Sequence, residues 1–285
     1  MGEETVLQKL SVRWLMVAAA GLALAIAVAC GNDGESVTTP SPEDQLSPTP
    51  MASPPSGPVL TLSPPPAVPA TENVLAIPDF EECTDAAPAP CAPWFVLKPP
   101  NFELSDVAHT GEKSAYLQMR EPPEAVGAKV FYLVQEVAPS EFPEVLSGFY
   151  RVDNWLRGTE KQYLQFVVIV VGADNAPPDA DGKPFSNHQI RYILAGINAE
   201  PFEISNAKFV FLSRTDPSSG EWVPFQVNVK QDFIDLWGSV PEGYDFIRLL
   251  YEVRYDDKIP GSGTAEADVY YDDLHFGPAD GAATP

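Results

Sequence analysis

Hydrophobic and polar residues alternate in short runs from Asn73 onward, which is the pattern of half-buried β-strands. Clusters of Gly, Pro, Asn and Asp separate the runs and predict turns. The predicted strands are Val74–Ile77, Trp94–Leu97, Ser114–Met119, Lys129–Val137, Leu146–Asp153, Tyr163–Val171, Gln189–Ile197, Lys208–Leu212, Trp222–Val229, Phe246–Tyr255 and Asp268–Phe276. One short helix is predicted over Gln231–Trp237. Eleven strands without a long helix predict an all-β domain, either an antiparallel sandwich or a barrel.

The same alternation separates a hydrophobic face from a polar face in several strands. In Phe246–Tyr255, the side chains of Arg248, Glu252 and Arg254 lie opposite a hydrophobic set. The candidate ligand-binding residues chosen in this way are Arg151, Tyr163, Gln165, Gln189, Arg191, Arg248, Glu252 and Arg254, with Trp155 and Trp222 as candidates for stacking. Planar polar groups beside aromatic rings suit a carbohydrate groove, and the same residues also suit plain cross-strand ion pairs.

The chain before this domain has a different composition. Residues 31–72 contain eleven prolines, five carboxylates, no Lys or Arg and no aromatic residue. Such a segment buries too little apolar surface to offset the entropy of ordering it. We therefore predict a disordered, extended linker over residues 30–72, and we disfavour a role as an SH3-type ligand. A short disordered tail is predicted over residues 278–285.

The N-terminus carries an apolar run, Trp14–Ala29, which follows Lys9 and Arg13 and ends at Cys30. Its length is typical of the hydrophobic region of a signal peptide. The small residues before Cys30 resemble the lipobox of bacterial lipoproteins. The resemblance implies that residues 1–29 are a signal peptide, that Cys30 is lipidated, and that the rest lies on the extracytoplasmic face of a cell membrane. The alternative is an uncleaved membrane anchor.

Two further cysteines, Cys83 and Cys91, remain if Cys30 carries lipid. An even pair in an exported chain predicts a disulfide. A metal site is disfavoured because two cysteines without a nearby His lack further ligands.

Charge and motifs exclude several functions. The chain has 40 acidic and 17 basic residues, for a formal net charge of −23. This balance argues against binding to nucleic acid, whose phosphates need basic patches, and favours neutral ligands or cations. No metalloprotease-type His spacing, nucleophile elbow or phosphate-binding glycine loop is present. We therefore expect no enzymatic activity.

Three segments together resemble the jelly-roll carbohydrate-binding modules of the galactose-binding-like superfamily. They are Val74–Glu82, which contains Asp-Phe-Glu, then His109–Leu117, and finally Ala267–Phe276 with its acidic pair. The resemblance implies a β-sandwich with jelly-roll topology over residues 73–277. It also implies a structural calcium ion that joins the first and last strands, with Glu81 and Asp273 as ligands and Asp79 and Asp272 as alternates.

These observations predict that the chain is a membrane-tethered, non-catalytic binding module for neutral polysaccharide or glycan. The alternative is an adhesion or scaffold lipoprotein that binds another envelope protein. A solute-binding lipoprotein is disfavoured because such proteins usually have two α/β lobes. The sequence does not identify a particular sugar.

Overall fold

A computed structural model describes residues 67–68, 72–84, 91–176, 187–197 and 206–282 of the 285-residue chain. The apolar N-terminal run, Cys30 and most of the predicted linker lie outside these residues. Within the described ranges, no helix is long and apolar enough to span a membrane.

Strands are the main regular element of the described residues. The strands are β1 (Ala67–Val68), β2 (Glu103–Ser105), β3 (Ser114–Glu121), β4 (Gly127–Pro139), β5 (Val145–Leu156), β6 (Gln162–Val171), β7 (Asn187–Ala195), β8 (Ala207–Phe211), β9 (Trp222–Asn228), β10 (Phe246–Lys258) and β11 (Ala265–Gly277). One α-helix, α1 (Val229–Trp237), follows β9, and a 3₁₀ turn occupies Ala279–Gly281 in the segment predicted as a tail.

Two sheets pack face to face. One has the strand order β1-β4-β10-β6-β7-β8, and the other has the order β2-β3-β11-β5-β9. The pairs β1–β4 and β7–β8 are parallel, and the other pairs are antiparallel. The chain therefore folds as a β-sandwich, which confirms the predicted fold class.

The core lies between the sheets and is built by alternation. In β10, every second residue from Ile247 to Tyr255 is buried there. The ring of Phe166 on β6 stacks on Tyr192 at 4.7 Å between centroids. Phe166 also contacts Phe225 of the opposite sheet at 5.0 Å. Burial of an aromatic side chain of this size stabilises the fold by roughly 1.5–3 kcal/mol.

Two predicted strands are not strands in the structure. Val74–Ile77 is irregular because the side chain of Gln135 takes its backbone bonds: Ala76 N–H donates to Gln135 Oε1 at 2.8 Å, and Gln135 Nε2 donates to Ala76 O at 3.0 Å. Trp94–Leu97 forms a single bridge, between Phe95 and Val134. In addition, β1 lies inside the segment predicted as a linker.

The start of the domain is fastened to its last strand. The side chain of Asn73 donates to Leu274 O at 2.9 Å and accepts from the backbone N–H of Phe276 at 2.9 Å. Val74 N–H donates to Phe276 O at 2.8 Å. After β1, the chain is thus tied at Asn73 and Val74 to β11, the central strand of the five-stranded sheet.

The disulfide predicted between Cys83 and Cys91 is present, with 4.6 Å between the Cα atoms. Both cysteines are buried in the core, and Trp94 N–H donates to Cys91 O at 2.6 Å. The bridge therefore fixes the segment that carries the buried Trp94, whose indole N–H donates to Ile77 O at 2.9 Å.

Helix α1 covers one end of the core with Phe233. The side chain of Asn228 caps its first turn by accepting from Gln231 N–H at 2.8 Å, and Gly238 ends it in the left-handed conformation. Beneath the helix, the ring of His188 contacts Phe233 and Trp237. Burial lowers the pKa of His188 to about 4.

Removal of the disulfide is expected to destabilise the domain. Replacement of Cys83 and Cys91 by serine restores the closure entropy of a short loop, so we expect the free energy of unfolding to fall by about 2–3 kcal/mol. Urea denaturation of the full chain measures this loss, with a Cys30→Ser variant as the control that keeps the bridge. Equal stability of the double variant and the control would contradict the prediction.

The low pKa of His188 predicts acid sensitivity. Between about pH 6.5 and pH 4 the imidazole of His188 binds a proton in the unfolded chain but not in the folded chain. The free energy of unfolding therefore decreases by about 1–3 kcal/mol as the pH is lowered through this window. We expect His188→Phe to remove this part of the pH dependence, measured by thermal melting at several pH values. His109→Gln is the matched control and should keep it. An unchanged slope in His188→Phe would contradict the assignment.

Candidate ligand-binding site

The outer face of the six-stranded sheet brings together most of the predicted ligand-binding residues. We call this set the polar face, and its members are Tyr163, Gln165, Gln189, Arg191, Arg248, Glu252 and Arg254. Glu252 on β10 lies opposite Gln165 on β6, and Arg254 lies opposite Tyr163. The alternation that the sequence shows therefore places these side chains on one surface, away from the core.

A hydrogen-bonded cluster forms the centre of the polar face. Gln165 Nε2 donates to Glu252 Oε2 at 2.5 Å, and Arg254 Nη1 lies 3.7 Å from the same oxygen. Arg254 Nη2 donates to Asp256 Oδ1 at 2.5 Å, and the Tyr163 hydroxyl donates to Asp256 Oδ2 at 2.8 Å. Asp256, which sequence reasoning missed, thus completes the cluster. The sequence feature that indicates Asp256 is its position two residues after Arg254, on the same face of the strand.

Two polar atoms of this cluster are buried without a partner. Within the part of the chain that the structure describes, neither Gln165 Oε1 nor Arg254 Nε has a hydrogen bond. Gln165 is fully buried, and an unsatisfied buried acceptor costs about 1–3 kcal/mol. Because both atoms are closed off from solvent, a ligand that supplies the missing donor and acceptor reaches them only when the side chains of the cluster move.

Burial and neighbouring charges set the electrostatics of the two arginines. Burial lowers the pKa of Arg191, and Glu252 opposes part of that shift. For Arg254 burial acts in the same direction, but Tyr163, Glu252 and Asp256 together raise its pKa above the ordinary value. Both guanidinium groups are charged at neutral pH because arginine titrates far above it. Arg254 in the cluster and Arg191 beside it thus balance the two carboxylates, Glu252 and Asp256.

Aromatic side chains stand beside the polar cluster. Tyr132 lies directly opposite Glu252 on β4, and it packs with Phe95 and Ile169 on a small apolar cluster. On the other side, Phe209 lies opposite Arg191, with 5.9 Å from its ring centroid to the guanidinium carbon. Sequence reasoning missed Tyr132 and Phe209 as stacking candidates. They lie in the predicted strands Lys129–Val137 and Lys208–Leu212, where the sequence shows an aromatic residue but not that it lies beside the polar cluster.

Three predicted ligand-binding residues lie elsewhere. Arg151 and Trp222 occupy the outer face of the five-stranded sheet, on the opposite side of the sandwich. Trp155 packs on the core, and a Cβ on Gly196 would lie 3.1 Å from its ring. The residue before it, Asn154, has a positive φ at an irregular register between β5 and β11. This irregularity ends the alternation that the sequence analysis extended to Trp155.

The residues predicted to bind calcium hold a loop by hydrogen bonds. Asp272 Oδ2 accepts from the backbone N–H groups of His109 and Thr110 at 2.7 and 3.4 Å. Asp273 accepts from the side chains of both residues, at 2.6 Å from His109 Nδ1 and 2.7 Å from Thr110 Oγ1. Burial raises the pKa of Asp272 to about 7. The acidic pair therefore fastens the loop to β11.

Glu81 and Asp79 make similar bonds on the other side of this loop. Glu81 Oε1 accepts from the backbone N–H groups of Glu112 and Lys113 at 2.7 and 2.8 Å, and Asp79 Oδ1 accepts from Glu81 N–H at 3.3 Å. Lys113 Nζ donates to the carbonyl oxygens of Glu81 and Cys83. Within the described residues, no group of three or more His, Cys, Asp and Glu side chains is placed to hold a metal ion. Calcium binding by these residues stays a prediction from the sequence resemblance.

Comparisons with known proteins give structural neighbours only. No family model matches the chain, and no curated protein matches it. A solved structure of TmCBM61 in complex with β-1,4-galactotriose is 13% identical, covers 72% of this chain and 98% of its own, and has a TM-score of 0.38. The tandem CBM22 domains of Paenibacillus barcinonensis Xyn10C are 16% identical over 76% of this chain and 49% of theirs, with a TM-score of 0.33. An arabinose-bound α-L-arabinofuranosidase, MgGH51, is 11% identical over 72% of this chain and 26% of its own, with a TM-score of 0.33. These neighbours include carbohydrate-binding modules and glycosidases, and the likeness extends to the β-sandwich alone.

The calcium site that the sequence resemblance predicts can be tested by thermal melting. A calcium ion held by Glu81 and Asp273 would raise the melting temperature in calcium above that in EDTA, and Asp273→Asn should abolish the rise. We also expect Lys113→Met to lower the melting temperature, because the carbonyl oxygens of Glu81 and Cys83 lose their donor. Equal melting temperatures of the parent chain in calcium and in EDTA would contradict the calcium prediction.

Proposed function

We propose that this chain is a membrane-tethered, non-catalytic binding module for neutral carbohydrate, and that the ligand binds on the polar face. The observation that carries the proposal is the pair of unpartnered polar atoms, Gln165 Oε1 and Arg254 Nε, in one buried cluster. Sugar hydroxyls both donate and accept, so a saccharide can satisfy an amide oxygen and a guanidinium N–H once the side chains of the cluster move to admit it.

The surroundings of the cluster support a saccharide as the ligand. Tyr132 and Phe209 flank the cluster, and both are partly exposed. Aromatic rings pack on the apolar C–H surfaces of sugars, whereas planar polar groups bond the hydroxyls. The cluster combines the two in neighbouring strands at a spacing of about 4.8 Å.

The charge balance supports a neutral ligand. The positive charges of Arg254 in the cluster and of Arg191 beside it are matched by Glu252 and Asp256. A charged sugar would leave one of these groups uncompensated in a half-buried site, which is costly. The negative charge of the whole chain, −23, further opposes acidic glycans.

The tether belongs to the proposal. Cys30 with its lipid would hold the chain at the extracytoplasmic face of a membrane, and the Pro-rich residues 31–66 would hold the sandwich away from the surface. A polyproline II segment rises by about 3.1 Å per residue, so the linker could reach on the order of 100 Å. The lipid assignment can be checked by mass spectrometry of the mature N-terminus, which would carry acylated Cys30.

A matched pair of variants tests the polar face. Arg191→Met keeps the apolar stem of the side chain and removes a half-buried cation, so we expect glycan affinity to fall by about 10–100-fold. Lys230→Met on exposed helix α1 removes the same charge and should bind as the parent does. Electrophoretic retardation in gels of galactan, arabinoxylan, β-glucan and mannan measures the change.

Circular dichroism melting of both variants separates loss of binding from loss of fold. Equal retardation of Arg191→Met and Lys230→Met would move the site away from the polar face. If no gel retards the parent chain, the carbohydrate proposal is wrong, and the result favours the alternative partner, another envelope protein.

A further inference from the structure

The outer face of the five-stranded sheet carries a straight row of three aromatic side chains and one arginine. Tyr116 on β3 lies opposite Tyr270 on β11, Tyr270 lies opposite Arg151 on β5, and Arg151 lies opposite Trp222 on β9. We call these four residues the aromatic row. Four adjacent strands spaced by about 4.8 Å give the row a length of roughly 14 Å. It runs across the strands on the side of the sandwich opposite the polar face.

The rings of the row are held in place by neighbours. Tyr116 stacks on Tyr270 at 5.0 Å between centroids, and its hydroxyl donates to Asp268 Oδ1 at 2.6 Å. Trp222 meets Tyr270 edge to face at 6.4 Å and His109 at 5.7 Å. Rings fixed in advance lose little entropy when a ligand stacks on them.

The row also offers hydrogen-bonding groups. Tyr270 Oη and Trp222 Nε1 make no hydrogen bond within the described ranges of the chain. Tyr116 and Trp222 are partly exposed, and most of Tyr270 between them is buried. Arg151 lies between the rings, held by Asp153 at 3.2 Å from its Nε and 3.1 Å from its Nη2.

Gly220 leaves this guanidinium open. A Cβ on Gly220 would lie 4.0 Å from Arg151 Nη2 and 3.8 Å from Asp153 Oδ1, so the residue beside the ion pair presents no side chain over it. The positive φ of Gly220, +79°, makes a substitution there strained. The backbone therefore passes the pair without covering it.

Charge complementarity identifies the ligand class. Arg151 is neutralised by Asp153, and Arg120 beside the row is neutralised by Asp268 at 2.6 Å. A surface of aromatic rings and internally neutralised planar polar groups fits an uncharged, hydroxyl-rich ligand rather than an ionic one. We infer that the aromatic row is a second binding site, for a neutral oligosaccharide, separate from the polar face.

The position of the row sets its consequence. Because the two sheets enclose the core, the row and the polar face point in opposite directions. One short saccharide cannot contact both sites. A protein chain with two sites therefore links two separate saccharide chains. Two sites on one polysaccharide network also raise the overall avidity by about 10²–10⁴-fold without any new contact.

Three variants test the second site. Trp222→Ala removes the terminal ring of the row, Glu252→Gln breaks the cluster of the polar face, and the third variant combines both. Retardation is first measured in the galactan, arabinoxylan, β-glucan and mannan gels. Oligosaccharides of the polysaccharide that retards the chain most are then titrated by calorimetry, which gives the number of oligosaccharides bound per protein chain. Turbidity of the same polysaccharide with the full chain reports cross-linking, and Glu221→Ala beside Trp222 is the surface control.

We expect two oligosaccharides per protein chain in the parent and in the Glu221→Ala control, one in each single variant, and none in the double variant. Turbidity should appear only in the proteins that keep both sites. A parent stoichiometry of one that Trp222→Ala leaves unchanged would overturn the second site while the polar face stands. Loss of all binding in Trp222→Ala, with Glu252→Gln unaffected, would instead overturn the polar face and keep the row. Absence of binding in every gel would overturn both.

Discussion

The pairing of β10 with its two neighbours is the constraint on which the rest of the structure depends. β10 lies between β4 and β6, and in this register Ile247, Leu249, Tyr251, Val253 and Tyr255 all face the core. A slip of one residue would turn that whole set outward and bury three charged side chains instead. The register that closes the core therefore also assembles the polar face, so fold and site have a single origin.

The two outer faces of the sandwich differ in physical character. On the polar face, Gln165 and Glu252 are almost completely buried, so each unsatisfied atom there has a large cost and ligand binding can offset it. On the aromatic row the ion pairs are partly exposed and contribute less, while the rings supply the contact area. The first face suits selective recognition, and the second suits tolerant stacking.

Local patterns in the sequence predicted nine of the strands, the helix and the face to which each polar residue of β6, β7 and β10 belongs, because alternation is a local property. Which strands become neighbours is decided by contacts distant in sequence, so the sequence could not place Arg151 and Trp222 on the opposite sheet from Arg191. It also could not foresee that Asn154 would interrupt β5 and turn Trp155 to the core, or that Gln135 would replace a strand partner for Ala76. The lipid on Cys30 and the calcium ion remain predictions, since both depend on resemblance alone.

The fastening of Asn73 to β11 has a mechanical consequence. A pull from the N-terminal side first loads β1, a two-residue edge strand, and the bonds from Asn73 and Val74 then transmit the force to Leu274 and Phe276 in the middle of the other sheet. Load then spreads to the strands on both sides of β11, where many hydrogen bonds must break together. Resistance to drag would then be governed by the rate of forced unfolding, which equilibrium stability does not report.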